Sequence, residues 1–237
     1  MKIRRYQPLK WVALFTLLGI VCLLGTVACK VNQQNQYEME PAFLKIGEKK
    51  IFIHYVVKID GKEVPLEEYR YHFLNMKDTT ENEDKTYFSN DNDGSLHRRL
   101  KSDTLTALKE VYAIEKLAKE NHLTLSQQEE EKIDSDIENQ VTSLGSVSAY
   151  KKALQESYMT NDIYRKIWKT TFYYEKLYQH YFSSDDKTTD YETLEQPSEE
   201  EITENEIKLQ AMISKTADSL IVEYGPEYDL ISIDTLF

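Results

Sequence analysis

The stretch Val56–Phe73, VVKIDGKEVPLEEYRYHF, decides how the rest of the chain is read. Val56, Val57 and Ile59 are β-branched and suit a short strand, and Asp60-Gly61 has the residue types of a tight turn. Val64-Pro65 then opens a helix, because proline presets φ and its missing N–H belongs to a turn whose N–H groups have no helical partner. Glu67 and Glu68 fall in that first turn, where the helix dipole favours negative charge.

Upstream lies Trp11–Cys29, WVALFTLLGIVCLLGTVAC, 19 consecutive residues without a charge. That is close to the ~20 residues a helix needs to cross a bilayer. Lys2, Arg4, Arg5 and Lys10 precede it and only Lys30 follows directly, so the positive-inside bias puts the N-terminus in the cytoplasm and the rest outside. Three readings stand open: an uncleaved signal anchor, a lipoprotein signal and a cleaved signal peptide. The lipoprotein reading rests on Thr26-Val27-Ala28-Cys29, with Cys29 as the lipidation site; the first two readings tether the chain to the extracytoplasmic face of a membrane. Cys22 and Cys29 are the only cysteines and both lie in this segment, so the chain beyond Lys30 can hold neither a disulfide framework nor a cysteine zinc cluster.

Residues 1–30 carry five basic residues and no acidic one, so the remaining 207 hold 24 basic against 41 acidic residues. Their net charge is therefore −17, against −12 for the whole chain. Such a balance argues against nucleic acid and against a basic footprint on anionic lipid. It suits a solvated surface and cationic partners.

Downstream of the span, Val31–Glu40 is polar and amide-rich and reads as a spacer, with a linker continuing to about residue 48. The run Ile51–Val57 is β-rich and leads into Val56–Phe73. A first helix is predicted over Pro65–Met76, a charged loop over Lys77–Asn92, and a long helix over Leu96–Asn121, where Leu100, Leu108, Val111 and Leu117 recur on one face. Ser126-Gln127-Gln128-Glu129 is a capping box, the stripe Ile133, Ile137, Val141 and Leu144 follows, and Gly145 ends that helix. Ser146–Ser157 reads as a short helix with Tyr150, Ala153 and Leu154 inward, and Thr160-Asn161-Asp162 opens another to Phe182. Ser183–Glu200 reads as an acidic linker. Thr203-x-x-Glu206 is a second capping box opening a helix to Leu220. Leu220–Tyr224 and Tyr228–Ile233 read as two strands about Gly225-Pro226, one of them pairing with the Ile51–Ile59 strand.

This order resembles the chaperone module of the SurA and PrsA families of extracytoplasmic folding factors. Their module opens with a strand, an Asn/Asp-Gly turn and an I-T-x-x-E-F helix start, where this chain has Val64-Pro65-Leu66-Glu67-Glu68-Tyr69. LKEVYAIEKLAKENHLTLSQQEEEKI looks like the family's first helical block, with His122 in place of the usual Gly. GSVSAYKKALQESYMTNDIYRKI looks like the second, with Tyr158 near that block's Gly. The likeness covers about Val56–Phe182. It implies a mainly α, multihelical SurA-like chaperone domain with a small β element pairing N- and C-terminal segments, preceded by one membrane span. Family members often carry a parvulin-type prolyl isomerase module with paired histidines; Ser183–Phe237 is too short for one and has no histidine, which implies no such activity.

Other chemistry is sparse. His54, His72, His97, His122 and His180 are scattered, with no HExxH spacing. Ser89-x-Asp91-x-Asp93-Gly94 opens like a calcium loop, yet has Ser at the first ligand position and Leu100 where the twelfth needs Glu. No cofactor and no metal are expected. In the Thr160–Phe182 helix, Ile163, Ile167, Thr170, Tyr174, Leu177 and Tyr181 form a core-facing stripe. Tyr164, Trp168, Phe172, Tyr178 and Phe182 lie on a neighbouring one. Aromatics can grip extended polypeptide without sequence rules; equally, this second stripe can pack against the long Leu96–Asn121 helix. The expectation is a membrane-anchored, extracytoplasmic, chaperone-like protein that binds unfolded or exported polypeptides without catalysis. The alternatives are an envelope-assembly scaffold or adaptor with one folded partner and a divergent prolyl isomerase.

Overall fold

In the computed structural model, residues 37–81, 87–91, 93–183 and 199–236 are described. Strands β1 (Leu44–Ile46) and β2 (Lys49–Ile51) form an antiparallel hairpin about Gly47, whose φ of 60° only glycine adopts freely. This hairpin begins ahead of Lys49, in the stretch whose composition reads as linker. Strands β3 (Val57–Ile59) and β4 (Lys62–Val64) pair antiparallel across Asp60 and Gly61. Both turn residues have positive φ, 47° and 76°, the geometry that lets a two-residue turn match the strands' twist.

Helix α1 (Leu66–Glu81) follows Pro65 directly and runs past its predicted end at Met76. After a 3₁₀ turn at Tyr87–Asn90 comes α2 (Ser95–Glu120), which packs on α1. The Asp91 and Asp93 carboxylates of the calcium-like stretch are spent on this helix start. Asp91 accepts the Leu96 and His97 N–H groups at 3.1 and 2.9 Å, and Asp93 accepts that of Ser95 at 3.0 Å.

Helix α3 (Gln127–Leu144) carries the predicted capping box. Ser126 accepts the Glu129 N–H, Glu129 accepts the Ser126 N–H at 2.6 Å, and Gly145 ends the helix with φ 86°. Helices α4 (Val147–Glu156) and α5 (Asn161–Phe182) are capped by Ser146 and Thr160. Helix α6 (Glu199–Ser219) starts earlier than the Thr203–Glu206 box predicts and packs on α2 and α5.

Strand β5 (Val222–Tyr224) pairs antiparallel with β3, setting Val57 opposite Tyr224 and Ile59 opposite Val222. The two ends of the domain therefore meet in one three-stranded sheet, β4-β3-β5. Tyr228–Ile233, predicted as a strand, is instead a 3₁₀ turn (Tyr228–Leu230) followed by the short helix α7 (Ile233–Leu236). Ser232 and Thr235 exchange backbone-to-hydroxyl bonds of 2.9 and 3.3 Å, a local cap that competes with a strand ladder.

Two hydrophobic clusters result. The larger gathers the three-stranded sheet, α1, α2, α6 and the C-terminal half of α5, including Tyr69, Phe73, Leu108, Leu177 and Ile213. The smaller gathers Tyr37, Ile133, Ile137, Tyr150, Leu154 and Phe172. Helix α5 runs through both. It is zipped to α3 by Arg165–Asp134 (2.5 Å), Lys169–Glu130 (2.8 Å) and a bond from the Tyr164 hydroxyl to Asp136 in its N-terminal half, and by Lys176–Glu129 (3.0 Å) one to two turns further on.

The described residues thus form a mainly helical domain with two small antiparallel sheets and supply no membrane span. Among the described residues no helix is long and apolar enough to cross a membrane. Helix α5 has the length, but Asp162, Arg165, Lys166, Lys169 and Lys176 make it amphipathic. The predicted span Trp11–Cys29, and Cys29 with it, lies outside the described residues.

Candidate functional site

A cleft of about 390 Å³ opens where the two clusters meet. One wall is an extended strap, Tyr37–Pro41. The others are Pro65, Glu67 and Glu68 at the start of α1, and Thr160–Ile163 with Lys166 at the start of α5. The strap is held at both ends. The Tyr37 ring packs edge-on against Tyr150, centroids 5.7 Å apart, and the Ala42 N–H donates to Glu67 Oε1 at 2.6 Å.

The cleft lining carries a charge pair whose carboxylate is buried and whose ammonium is half-buried. Lys166 Nζ donates to Glu68 Oε1 at 2.6 Å, lies 3.7 Å from Glu115 and stands 4.0 Å over the Tyr112 ring. Glu68 is 4% exposed; burial pushes its carboxyl above the ordinary range, and the Lys166 charge opposes this. Tyr112 is pushed up as well, first by burial and then by the Glu68 and Glu115 charges. One helical turn beyond Glu68, His72 is 5% exposed, and its Nδ1 has no hydrogen-bond partner. Burial, aided by the Lys166 charge, lowers its pKa to about 3, so the ring is neutral at neutral pH.

Lys166 is satisfied by its own carboxylates, which leaves the rim acidic. Glu38, Glu40 and Asp162 are exposed and have no ion pair among the described residues, and Glu67 uses one oxygen on the strap. Apolar surface from Tyr37, Met39, Pro41, Pro65 and Ile163 lies between these groups. The arrangement offers a cation several carboxylates and an aliphatic stem a dry wall. Among the described residues no three His, Cys, Asp or Glu side chains form a metal-holding group.

None of the five aromatic residues singled out in the sequence lines this cleft. Phe172 is buried in the smaller cluster, with Tyr164 and Trp168 packed against it. Tyr178 and Phe182 pack against the larger cluster, so the aromatic stripe is divided between the two. The cleft residues carried only weak signals. Glu67 and Glu68 read as dipole complements, the strap as a spacer, and Lys166 as one more charge on an amphipathic helix.

No family model, no curated protein and no solved structure matches this chain.

These findings correct the functional expectation. The expected anchoring through a membrane span finds no support, since among the described residues no helix is long and apolar enough to cross a membrane. The identity as a chaperone finds no relative to support it. Membrane attachment through an N-terminal span and the localisation built on it are therefore set aside.

Proposed function

We propose that the domain is a non-catalytic binding module that takes a basic, extended polypeptide segment in the cleft between the strap, α1 and α5. The observation that carries this reading is the cleft's composition. It combines apolar walls with an acidic rim, and its single lysine is already neutralised by Glu68 at 2.6 Å. A Lys or Arg side chain suits both halves, because its methylene stem packs on apolar surface while its head reaches the rim. The order of strand, Asp-Gly turn and helices, which resembles the SurA and PrsA module, supports polypeptide as the ligand class.

The test is fluorescence anisotropy of the full chain with a labelled unstructured Lys/Leu peptide and a Glu/Leu counterpart. The basic peptide is expected to bind, and Glu40→Lys with Asp162→Lys to weaken it at least about tenfold, a loss of ~1.4 kcal/mol. Equal affinity for both peptides, or binding untouched by the double reversal, would overturn the reading.

A further inference from the structure

The β1–β2 hairpin has an unpartnered outer face whose charge is opposite to that of the cleft. Leu44 is fully buried and Ile51 packs on the larger cluster, so alternation turns Phe43, Lys45, Lys50 and Phe52 outward. Lys45 and Lys50 stand directly opposite each other across the ladder, an arrangement that like charges disfavour. Beside them the Phe43 and Phe52 rings pack edge-on at 5.8 Å, Lys50 lies 4.3 Å over Phe43, and Phe52 is 63% exposed. Among the described residues no carboxylate forms an ion pair with Lys45, Lys49 or Lys50. On a chain of net charge −12, this is a local cationic and aromatic projection.

From this geometry we infer that the hairpin of one copy docks into the acidic cleft of a second copy, and that the exchange is mutual. This rests on the cleft being a site for basic polypeptide and names its occupant. The hairpin cannot fill its own cleft, because its inner face is packed on the core and β1 lies against α7. Only Ala42, clamped to Glu67, separates the strap that walls the cleft from Phe43 at the start of the hairpin. Two surfaces that are complementary and adjacent on one molecule satisfy each other twice around a two-fold axis, the commonest oligomer symmetry.

Size is consistent with this. The eight residues of Phe43–Phe52 other than the inward Leu44 and Ile51, with the thirteen that line the cleft, fall within the roughly 20–30 residues a side of a standard interface. The protein's net charge opposes association only weakly, since charges beyond about 8 Å are screened at physiological ionic strength. An anionic bilayer is a poorer partner, because an extended plane of negative charge meets the acidic surface as well as the three lysines.

The test uses the full chain in sedimentation velocity, with three partners: itself, a Lys45→Glu/Lys50→Glu variant and a Glu40→Lys/Asp162→Lys variant. The wild type is expected to dimerise, and each variant alone to dimerise at least about tenfold more weakly. An equimolar mixture of the two variants should recover association, because the reversed hairpin meets the reversed cleft; the labelled Lys/Leu peptide should compete with wild-type dimerisation. A monomeric wild type that still binds the Lys/Leu peptide would overturn the dimer and leave the cleft reading standing; a monomer that binds no peptide would overturn both. Dimers that survive both reversals, or a variant mixture that stays monomeric, would also refute the exchange. Circular dichroism of each variant separates a lost interface from a lost fold.

Discussion

Lowering the pH from about 7.5 to about 5 should cost this fold about 2 kcal/mol through His72 alone. The imidazole is 5% exposed, lacks a partner at Nδ1, and is held at a pKa of about 3 against an ordinary 6.5. A histidine whose folded pKa lies below its unfolded value is protonated first in the unfolded chain. Its contribution is therefore complete above about 6.5 and is lost as the pH falls toward about 3. At pH 5 the unfolded group lies about 1.5 units past its midpoint, and each unit is worth about 1.36 kcal/mol, which gives the figure of about 2. Glu68 works the other way. Burial raises its carboxyl, so its share of stability grows as the pH falls and offsets part of the loss in the wild type. Lys166, Tyr112 and Glu115 face the same pocket and are common to wild type and variant.

The assay is urea unfolding followed by circular dichroism at the two pH values, for wild type and for His72→Leu, with equal m-values as the check on two-state behaviour. Leucine is of similar volume and does not titrate. The wild type should lose about 2 kcal/mol more than the variant over this interval. If the two lose the same stability to within about 0.5 kcal/mol, the imidazole is hydrated or already charged in the fold, and the burial argument fails.

Three further outcomes follow from the backbone and the packing. His122 and Tyr158 have φ of 56° and 52°, a region costly for residues with a Cβ, so His122→Gly should raise stability by about 0.5–1 kcal/mol. Tyr158→Gly should gain less, because Tyr158 also packs under the Arg70 guanidinium at 5.2 Å; thermal melts showing a loss at residue 122 would contradict this. Gly225→Ala places a Cβ 2.6 Å from the Tyr55 carbonyl and 2.8 Å from that of Val56, which should cost about 1–3 kcal/mol and quicken exchange of the residue 225 amide, which donates to the Val56 carbonyl, and of its neighbour Glu223. Trp168→Ala should cost about 2 kcal/mol and act on the smaller cluster, so hydrogen exchange should quicken in α3 and α4 before β3; uniform quickening would refute two separable clusters.

Local signals carried much of the architecture. The Asp60-Gly61 turn, the Pro65 helix start, the Ser126–Glu129 capping box and the Gly145 stop each depend on neighbours within four residues, and the chain obeys them. Two further turn positions, His122 and Tyr158, are left-handed without glycine, so residue type alone did not mark them. The strap and the β1–β2 hairpin escaped notice because their burial comes from partners far along the chain: Tyr150 for Tyr37, Glu67 for Ala42.

By itself, the sequence determined a mainly helical chain and the order of its helices, because periodicity and turn chemistry are local properties; it placed a C-terminal strand against the opening one, and the structure decided that this strand is β5. The tertiary structure alone decided which aromatic residues are core and which carboxylates converge. Glu68 and Lys166, Glu40 and Asp162 are about a hundred or more residues apart, and only the packing of α1 and α5 on the same helix, α2, gathers them into one cleft. Charge counted along the chain sums to an acidic whole. Charge placed in space separates an acidic cleft from a basic hairpin, since electrostatic interactions in water act over a few ångströms and not over sequence distance.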